Sequence, residues 1–201
     1  MRELIVNTFA TLDGVMQAPG GPEEDPSGGF DHGGWSFGYW DERMQGVMGE
    51  AMSKPFDLVL GRKTYEIFAA FWPNSDDPGA EPLNKATKHV ASTTLKELEW
   101  ANSKLIEGEL PEGVRALKEE DGPELQVHGS ANLIQTLLEH GLIDEFRVWT
   151  FPLVLGTGKR LFDGGTVPAG LELTRSEVSS TGVIIATYRS GAEIKYGSFA
   201  E

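Results

Sequence analysis

Two stretches hold the residue types most able to do chemistry. In "DLVLGRKTYE" the apolar run Leu58, Val59, Leu60 stops at Gly61 and gives way to Arg62, Lys63 and Thr64. The run does not alternate, which fits a strand covered on both faces, and a helix is predicted over 63–70. Glycine at the strand end permits a sharp turn and close approach of a ligand. Arg62, Lys63 and Thr64 then fall in a first helical turn, where free N–H groups and the dipole favour an anion. The second stretch, "QVHGSANLIQTLLEHGL", repeats the logic. Residues 125–127 read as a strand, and Gly129 and Ser130 as a tight turn. Ala131 opens a helix predicted to His140, with Leu133, Ile134, Leu137 and Leu138 on one face and Gly141 as its stop. Two phosphate-type turns in one chain suit a dinucleotide. The alternative for the first turn is that Arg62 and Lys63 are solvated surface cations and Thr64 an N-cap.

Other residues could take part. Ser92 and Thr93 belong to a run of three hydroxyls that ends "HVASTT", able to bond a phosphate or to cap the next helix. Asp41, with Glu42 beside it in "YWDERM", is the candidate carboxylate. A buried acid there would have a raised pKa and could donate a proton to a ring nitrogen, whereas an ordinary helix start uses the same residues against its dipole. His128, just before Gly129, could bond a ligand or cap a backbone carbonyl.

The composition removes several alternatives. The 201-residue chain carries 31 acidic against 17 basic side chains, a net charge of −14. General binding to nucleic acid or to an anionic membrane is therefore not expected, and any phosphate must be held by a local site. Cysteine is absent, which excludes disulfides, thiolate ligands and thiol nucleophiles. The histidines His32, His89, His128 and His140 do not fall at ligand spacings, so no metal site is expected. The start "MRELIVNTFATLDG" is too short and polar for a signal core, no stretch reaches membrane-spanning length, and a cytoplasmic protein is the expectation.

These residues need a frame. A first strand is predicted over 3–11, turning at Asp13 and Gly14. A long Gly- and Pro-rich segment follows, whose aromatic residues Phe30, Trp35, Phe37, Tyr39 and Trp40 suit either a substrate lid or packing on the core. A helix is predicted over 41–53 with a methionine stripe, then the 58–60 strand and its helix, a turn-rich loop, the short "HVAST" strand, and a surface helix over 111–120. Strands over 145–151, 171–178 and 182–188 complete a mixed sheet with helices on both faces, in one α/β domain spanning residues 1–201. The apolar run "FRVWTFPLVLG" fits either a subunit contact or a buried central strand.

The succession "TLDGVM", "DLVLGRKTYE", "HVAST", "QVHGSANLIQTLLEHGLIDEF" and "PLVLGTGKRLF" resembles the dihydrofolate reductase fold, and more closely its branch containing the reductase domain of bacterial riboflavin biosynthesis. The resemblance implies a three-layer α/β/α fold with a mixed, mostly parallel sheet of about eight strands. It also implies NADPH as cofactor, a small-molecule substrate and a homodimer. Position by position, Gly61, Arg62, Lys63 and Thr64 match the turn at the pyrophosphate and adenosine 2′-phosphate. Ser92 and Thr93 match hydroxyls near that phosphate, and Gly129, Ser130 and Ala131 match the second pyrophosphate turn. Phe9, Thr11 and Met16 match the nicotinamide wall, and Asp41 the carboxylate that binds a pterin-like ring. The implied activity is hydride transfer to a heteroaromatic, imine or carbonyl acceptor, as in 5-amino-6-(5-phosphoribosylamino)uracil reductase or dihydrofolate reductase; the alternative is a non-catalytic nucleotide-binding protein. Two departures stand out. Gly129-Ser130 replaces the Gly-Gly pair that is cis in dihydrofolate reductase, and His128 stands where the riboflavin enzyme usually has an acid.

Overall fold

The computed structural model describes residues 1–163 and 166–199. Its strands are β1 (Leu4–Thr11), β2 (Phe56–Gly61), β3 (Lys88–Ala91), β4 (Ser103–Leu105), β5 (Glu124–His128), β6 (Glu145–Phe151), β7 (Gly170–Val178) and β8 (Ile184–Ala192). They form one eight-stranded sheet in the order β4-β3-β2-β5-β1-β6-β8-β7. The pairings from β4 through β6 are parallel, whereas β8 runs antiparallel to both β6 and β7. This is the mixed, mostly parallel α/β sheet that the sequence predicts.

Side-chain alternation on the central strands sorts the helices into two layers. Leu4 and Val6 of β1, Val59 of β2 and Val127 of β5 share a buried cluster with Val114 and Leu117 of α4 (Leu110–Glu119) and with Leu133, Ile134 and Leu137 of α5 (Ala131–Glu139). On the other face, Leu58 and Leu60 pack with Tyr65 of α2 (Arg62–Phe71) and Leu83 of α3 (Ala80–Lys85). Each such fully buried aliphatic side chain contributes about 1.5–3 kcal/mol relative to exposure. A third cluster joins Met44 of α1 (Glu42–Met52) to Phe30, Trp35, Trp149 and Phe151. The stop at Gly141 is as predicted: it adopts φ +61°, and the Leu142 N–H donates to the Leu137 carbonyl.

Two elements depart from the expected layout. The turn-rich loop after α2 contains the six-residue α3, with Pro82 in its first turns where a missing N–H is tolerated, and the polar stretch after Trp100 contains the three-residue β4. Of the two readings of the run "FRVWTFPLVLG", the central strand is the one seen. The run's first six residues belong to β6, which is hydrogen-bonded on both sides by β1 and β8.

The long segment after β1 is packed rather than free. Trp35 Nε1 donates to the Gln17 carbonyl at 2.7 Å, and Gln17 Nε2 donates to the carbonyls of Asp25 and Ser27. Phe30 and Trp35 are buried, while Trp40 stacks on Trp149 with ring centroids 5.9 Å apart. Phe30, Trp35 and Tyr39 therefore serve the core while Phe37 is exposed, and the early part of the segment, Met16 to Pro19 with Glu24 and Asp25, forms one wall of a cleft.

Candidate functional site

The cleft has a volume of about 840 Å³ and runs between α1, the starts of α2 and α5, and the exposed centre of the sheet. At its mouth two helix N-termini converge. Gly61 is the N-cap of α2, Ser130 is that of α5, and neither helix receives a side-chain cap. Their first N–H groups are thus left for another acceptor.

Ser130 ties the two turns together. Its Oγ accepts the Gly61 N–H at 3.0 Å and donates to Thr64 Oγ1 at 2.7 Å. To reach both, Ser130 sits at φ +66°, ψ +59°, a left-handed conformation that costs a non-glycine residue about 1–2 kcal/mol. Gly129 is at φ +60°, and the Gly129-Ser130 peptide is trans. A Cβ on Gly61 would lie 3.2 Å from Ser130 Oγ, tighter than an ordinary contact, so glycine keeps this crossing compact.

Phe9, Met16, Gly61, Arg62, Lys63, Thr64, Gly129, Ser130 and Ala131 all line the cleft. Arg62 and Lys63 are exposed, and Arg62 Nη1 meets Glu66 Oε1 at 3.1 Å across one helical turn. Ser92 and Thr93 lie just beyond it: Ala91, which does line the cleft, is in register with Gly61. Ser92 Oγ accepts the N–H groups of Thr94 and Leu95, so it also holds its own turn.

Thr11 and Asp41 stand elsewhere. Thr11 is buried, its hydroxyl donating to Asp13 Oδ1 at 2.5 Å and accepting the Val15 N–H, and it does not line the cleft. Asp13 in turn accepts the N–H groups of Leu155 and Gly156. The Thr11 hydrogen bond, aided by these two, lowers its pKa to about 2. Asp41 is the N-cap of α1. One carboxylate oxygen accepts the Met44 N–H at 2.8 Å; the other accepts the N–H and hydroxyl of Ser180, both at 2.7 Å. These bonds, first that from Met44, lower its pKa. A carboxylate so held stays ionised and outside the cleft, which corrects the expectation that Asp41 is the proton donor.

Other titratable groups occupy the cleft instead. Asp25 pairs with Lys159, and Glu50 and Glu177 both pair with Arg175. Among the described residues, Glu24 is the cleft carboxylate without a cationic partner within 4 Å. Its Oε2 accepts the Gly20 and Gly21 N–H groups, yet burial outweighs these bonds and raises its pKa. No local pattern points to it, since "GGPEED" reads as a solvated turn.

The cleft floor is a polar row across the sheet. His128, Asn7, Arg147, Thr187 and Arg175 stand in one register on β5, β1, β6, β8 and β7, and all line the cleft. Arg147 donates to Glu124 at 3.1 and 3.4 Å and to Glu145 at 2.8 Å. Gln126 Nε2 donates to Glu124 Oε1 at 2.6 Å, and His128 Nε2 lies 2.9 Å from Gln126 Oε1. Burial, reinforced by the Arg147 charge, lowers the His128 pKa to about 4. The adjacent row is apolar, with Phe9, Trp149 and Ile185 in register. Among the described residues no group of acidic and histidine side chains could hold a metal ion, and no helix is long and apolar enough to cross a membrane.

The family model for the RibD C-terminal domain matches residues 2–185. The uncharacterized protein YyaP of Bacillus subtilis (strain 168) is 27% identical over 196 residues, covering 93% of this chain and 94% of that protein. YwjB of the same organism is 30% identical over 109 residues, covering 52% of this chain and 57% of its own length. Among solved structures, a protein assigned to riboflavin biosynthesis from Shewanella sp. PV-4 aligns with TM-score 0.67 at 22% identity, covering 94% of this chain and 99% of that one. A pyrimidine reductase-like protein from Corynebacterium diphtheriae aligns with TM-score 0.64 at 12% identity, covering 96% and 93%. Dihydrofolate reductase from Enterococcus faecalis, complexed with NADP(H) and RAB-propyl, aligns with TM-score 0.58 at 14% identity, covering 94% and 97%.

Proposed function

Because the chain belongs to the RibD C-terminal domain family, we propose that it is an NADPH-dependent reductase that delivers hydride to a C=N or C=O bond of a small heteroaromatic, imine or carbonyl substrate. The observation that carries this reading is the pair of uncapped helix N-termini locked together by Ser130 at the mouth of the cleft. Such a pair offers two sets of unsatisfied N–H groups to a pyrophosphate.

The residues present fit that cofactor. Gly61 and Gly129 keep side chains away from the crossing, and Thr64 and Ser130 add hydroxyls. Arg62 and Lys63 provide the charge that separates a 2′-phosphate from a plain hydroxyl, with Ser92 and Thr93 at the neighbouring strand end. When bound, NADPH supplies a hydride equivalent from its nicotinamide ring. Phe9, Met16 and Trp149 exclude water and orient the reacting partners, which is most of what hydride transfer asks of a protein. We assign the accompanying proton to Glu24, whose raised pKa and lack of a cationic partner suit a donor. The capping role of Asp41 favours a second reading, a nucleotide-binding protein without turnover, if Glu24 proves silent. We also propose a homodimer.

Titration of the protein with NADPH and NADH, followed by quenching of its tryptophans, tests the reading. Saturable NADPH binding with NADH weaker by about tenfold, roughly 1.4 kcal/mol, is expected. Failure of both to bind would remove it.

A further inference from the structure

Helix α1, one wall of the cleft, is weakly built in its second half. In "ERMQGVMGEAM" two glycines stand inside the helix, and a Cβ at Gly46 or at Gly49 would meet nothing within 4 Å, so packing requires neither of them. Each lowers helix formation roughly fivefold relative to alanine. Glu50 lies in the last turn, at the negative end of the dipole, and that turn holds no basic residue.

The tertiary hold is just as uneven. At the N-terminal end Asp41 bonds the Met44 N–H and Ser180, Arg43 pairs with Glu177, and Met44 is the one fully buried side chain of the helix. Beyond Gly46 the helix spans open space. Val47, Met48, Ala51 and Met52 are half-buried, and Met48 and Met52 line both the cleft and a second cavity of about 760 Å³. Phe9, Phe68 and His128 line both as well, so the two spaces adjoin. Val47 and Met48 touch the edge of the cluster around Met44, and Met52 the edge of that around Leu83. The remaining tie is the ion pair of Glu50 with Arg175 on β7, at 3.1 Å. Its side chains are 63% and 51% exposed, and such pairs hold weakly.

We propose that the half of α1 after Gly46 is a lid. It lifts about the anchored N-terminal turn by unwinding at Gly46 and Gly49, which joins the two cavities and opens the sheet floor. It recloses through the Glu50–Arg175 latch, excluding water from whatever is bound. Segments with few buried apolar contacts open at the lowest cost, and lids are drawn from them. The gate does not depend on which ligand lies behind it, so it stands apart from the reductase reading.

Hydrogen exchange of the full chain, with no ligand added, tests the lid directly. Amides 48–52 should exchange at least about a hundredfold faster than those of α5, a helix of comparable length with three buried side chains. Gly46→Ala/Gly49→Ala should slow amides 48–52 by about tenfold or more, and Arg175→Gln should speed them about two- to fivefold. Access to the floor is read separately. The chain has no cysteine, so Ile185→Cys places a single thiol at a buried position that lines the cleft. Its reaction with dithiodipyridine, a neutral aromatic disulfide, should slow by about tenfold in the double-alanine background. Protection of amides 48–52 equal to that of α5 overturns the proposal. So does a thiol rate unchanged by the two alanines, which would mean that the helix end frays without gating the cleft. The exchange experiment needs no variant, and neither result turns on whether NADPH binds.

Discussion

Replacing Ser130 with glycine separates strain from function at the helix crossing. In the native chain the left-handed backbone at Ser130 costs about 1–2 kcal/mol, which glycine would relieve. The same change removes two hydrogen bonds, to the Gly61 N–H and to Thr64 Oγ1, each contributing about 0.5–1.5 kcal/mol. Glycine also adds about 0.4–1 kcal/mol of unfolded-chain entropy. These terms partly cancel, so urea unfolding should show Ser130→Gly less stable than the native protein by about 1 kcal/mol and by no more than about 3 kcal/mol. Ser130→Ala loses the bonds and keeps the strain, and should fall below the glycine variant. Cofactor binding should separate from stability: without the hydroxyl, the starts of α2 and α5 are no longer held together, and NADPH affinity should drop about tenfold, roughly 1.4 kcal/mol, in a fluorescence titration. A glycine variant more stable than native by over about 1 kcal/mol, with undiminished NADPH affinity, would refute the idea that Ser130 accepts strain in order to position the two turns.

Arg62→Ala should weaken NADPH far more than NADH; an equal loss would place Arg62 away from the 2′-phosphate. Asp41→Ala should lower the melting temperature by uncapping α1 and releasing Ser180, while turnover with an acceptor found by screening stays near native. A collapse of turnover in that variant, with the fold intact by circular dichroism, would restore a catalytic role. Glu24→Gln should slow turnover with NADPH affinity retained, and it should flatten the decline of rate at higher pH expected of the native protein if Glu24 is the proposed proton donor; a native pH profile in the variant would end its assignment. His128 has a folded pKa of about 4 against 6.5 for the free side chain, so the unfolded state binds more protons between these values. Its contribution is present above about pH 6.5 and is lost as pH falls toward 4, a difference of about 3 kcal/mol in all. Unfolding of the native protein and of His128→Gln should therefore diverge most at neutral pH and converge near pH 4, with the shared His89 effect subtracted; a constant difference would contradict a buried neutral ring.

Local physics wrote much of the architecture into the sequence. The non-alternating run ending at Gly61 marked a strand covered on both faces, and the periodic apolar face from Leu133 to Leu138, closed by Gly141, marked α5. Both signals depend on residues within one or two turns of each other. The short elements escaped: β4 has three residues and no pattern, and α3 hides in a stretch rich in turn formers. At the site, the glycine turns were legible because anion binding at a helix start is a local property. The role of Asp41 was not legible, since a carboxylate at a helix start reads alike whether it caps or catalyses. The two roles are told apart by Ser180, 139 positions away, which takes the second oxygen. Likewise Glu24 acquires a raised pKa only because the segment folds it into a cleft. His128, Asn7 and Arg147 become one floor only through the pairing of β5, β1 and β6. Sequence alone determined which segments bury their backbones and where an anion could dock. Tertiary structure decided which polar groups lose water and which partner each finds, because desolvation and hydrogen bonding between distant segments depend on packing that no local pattern encodes.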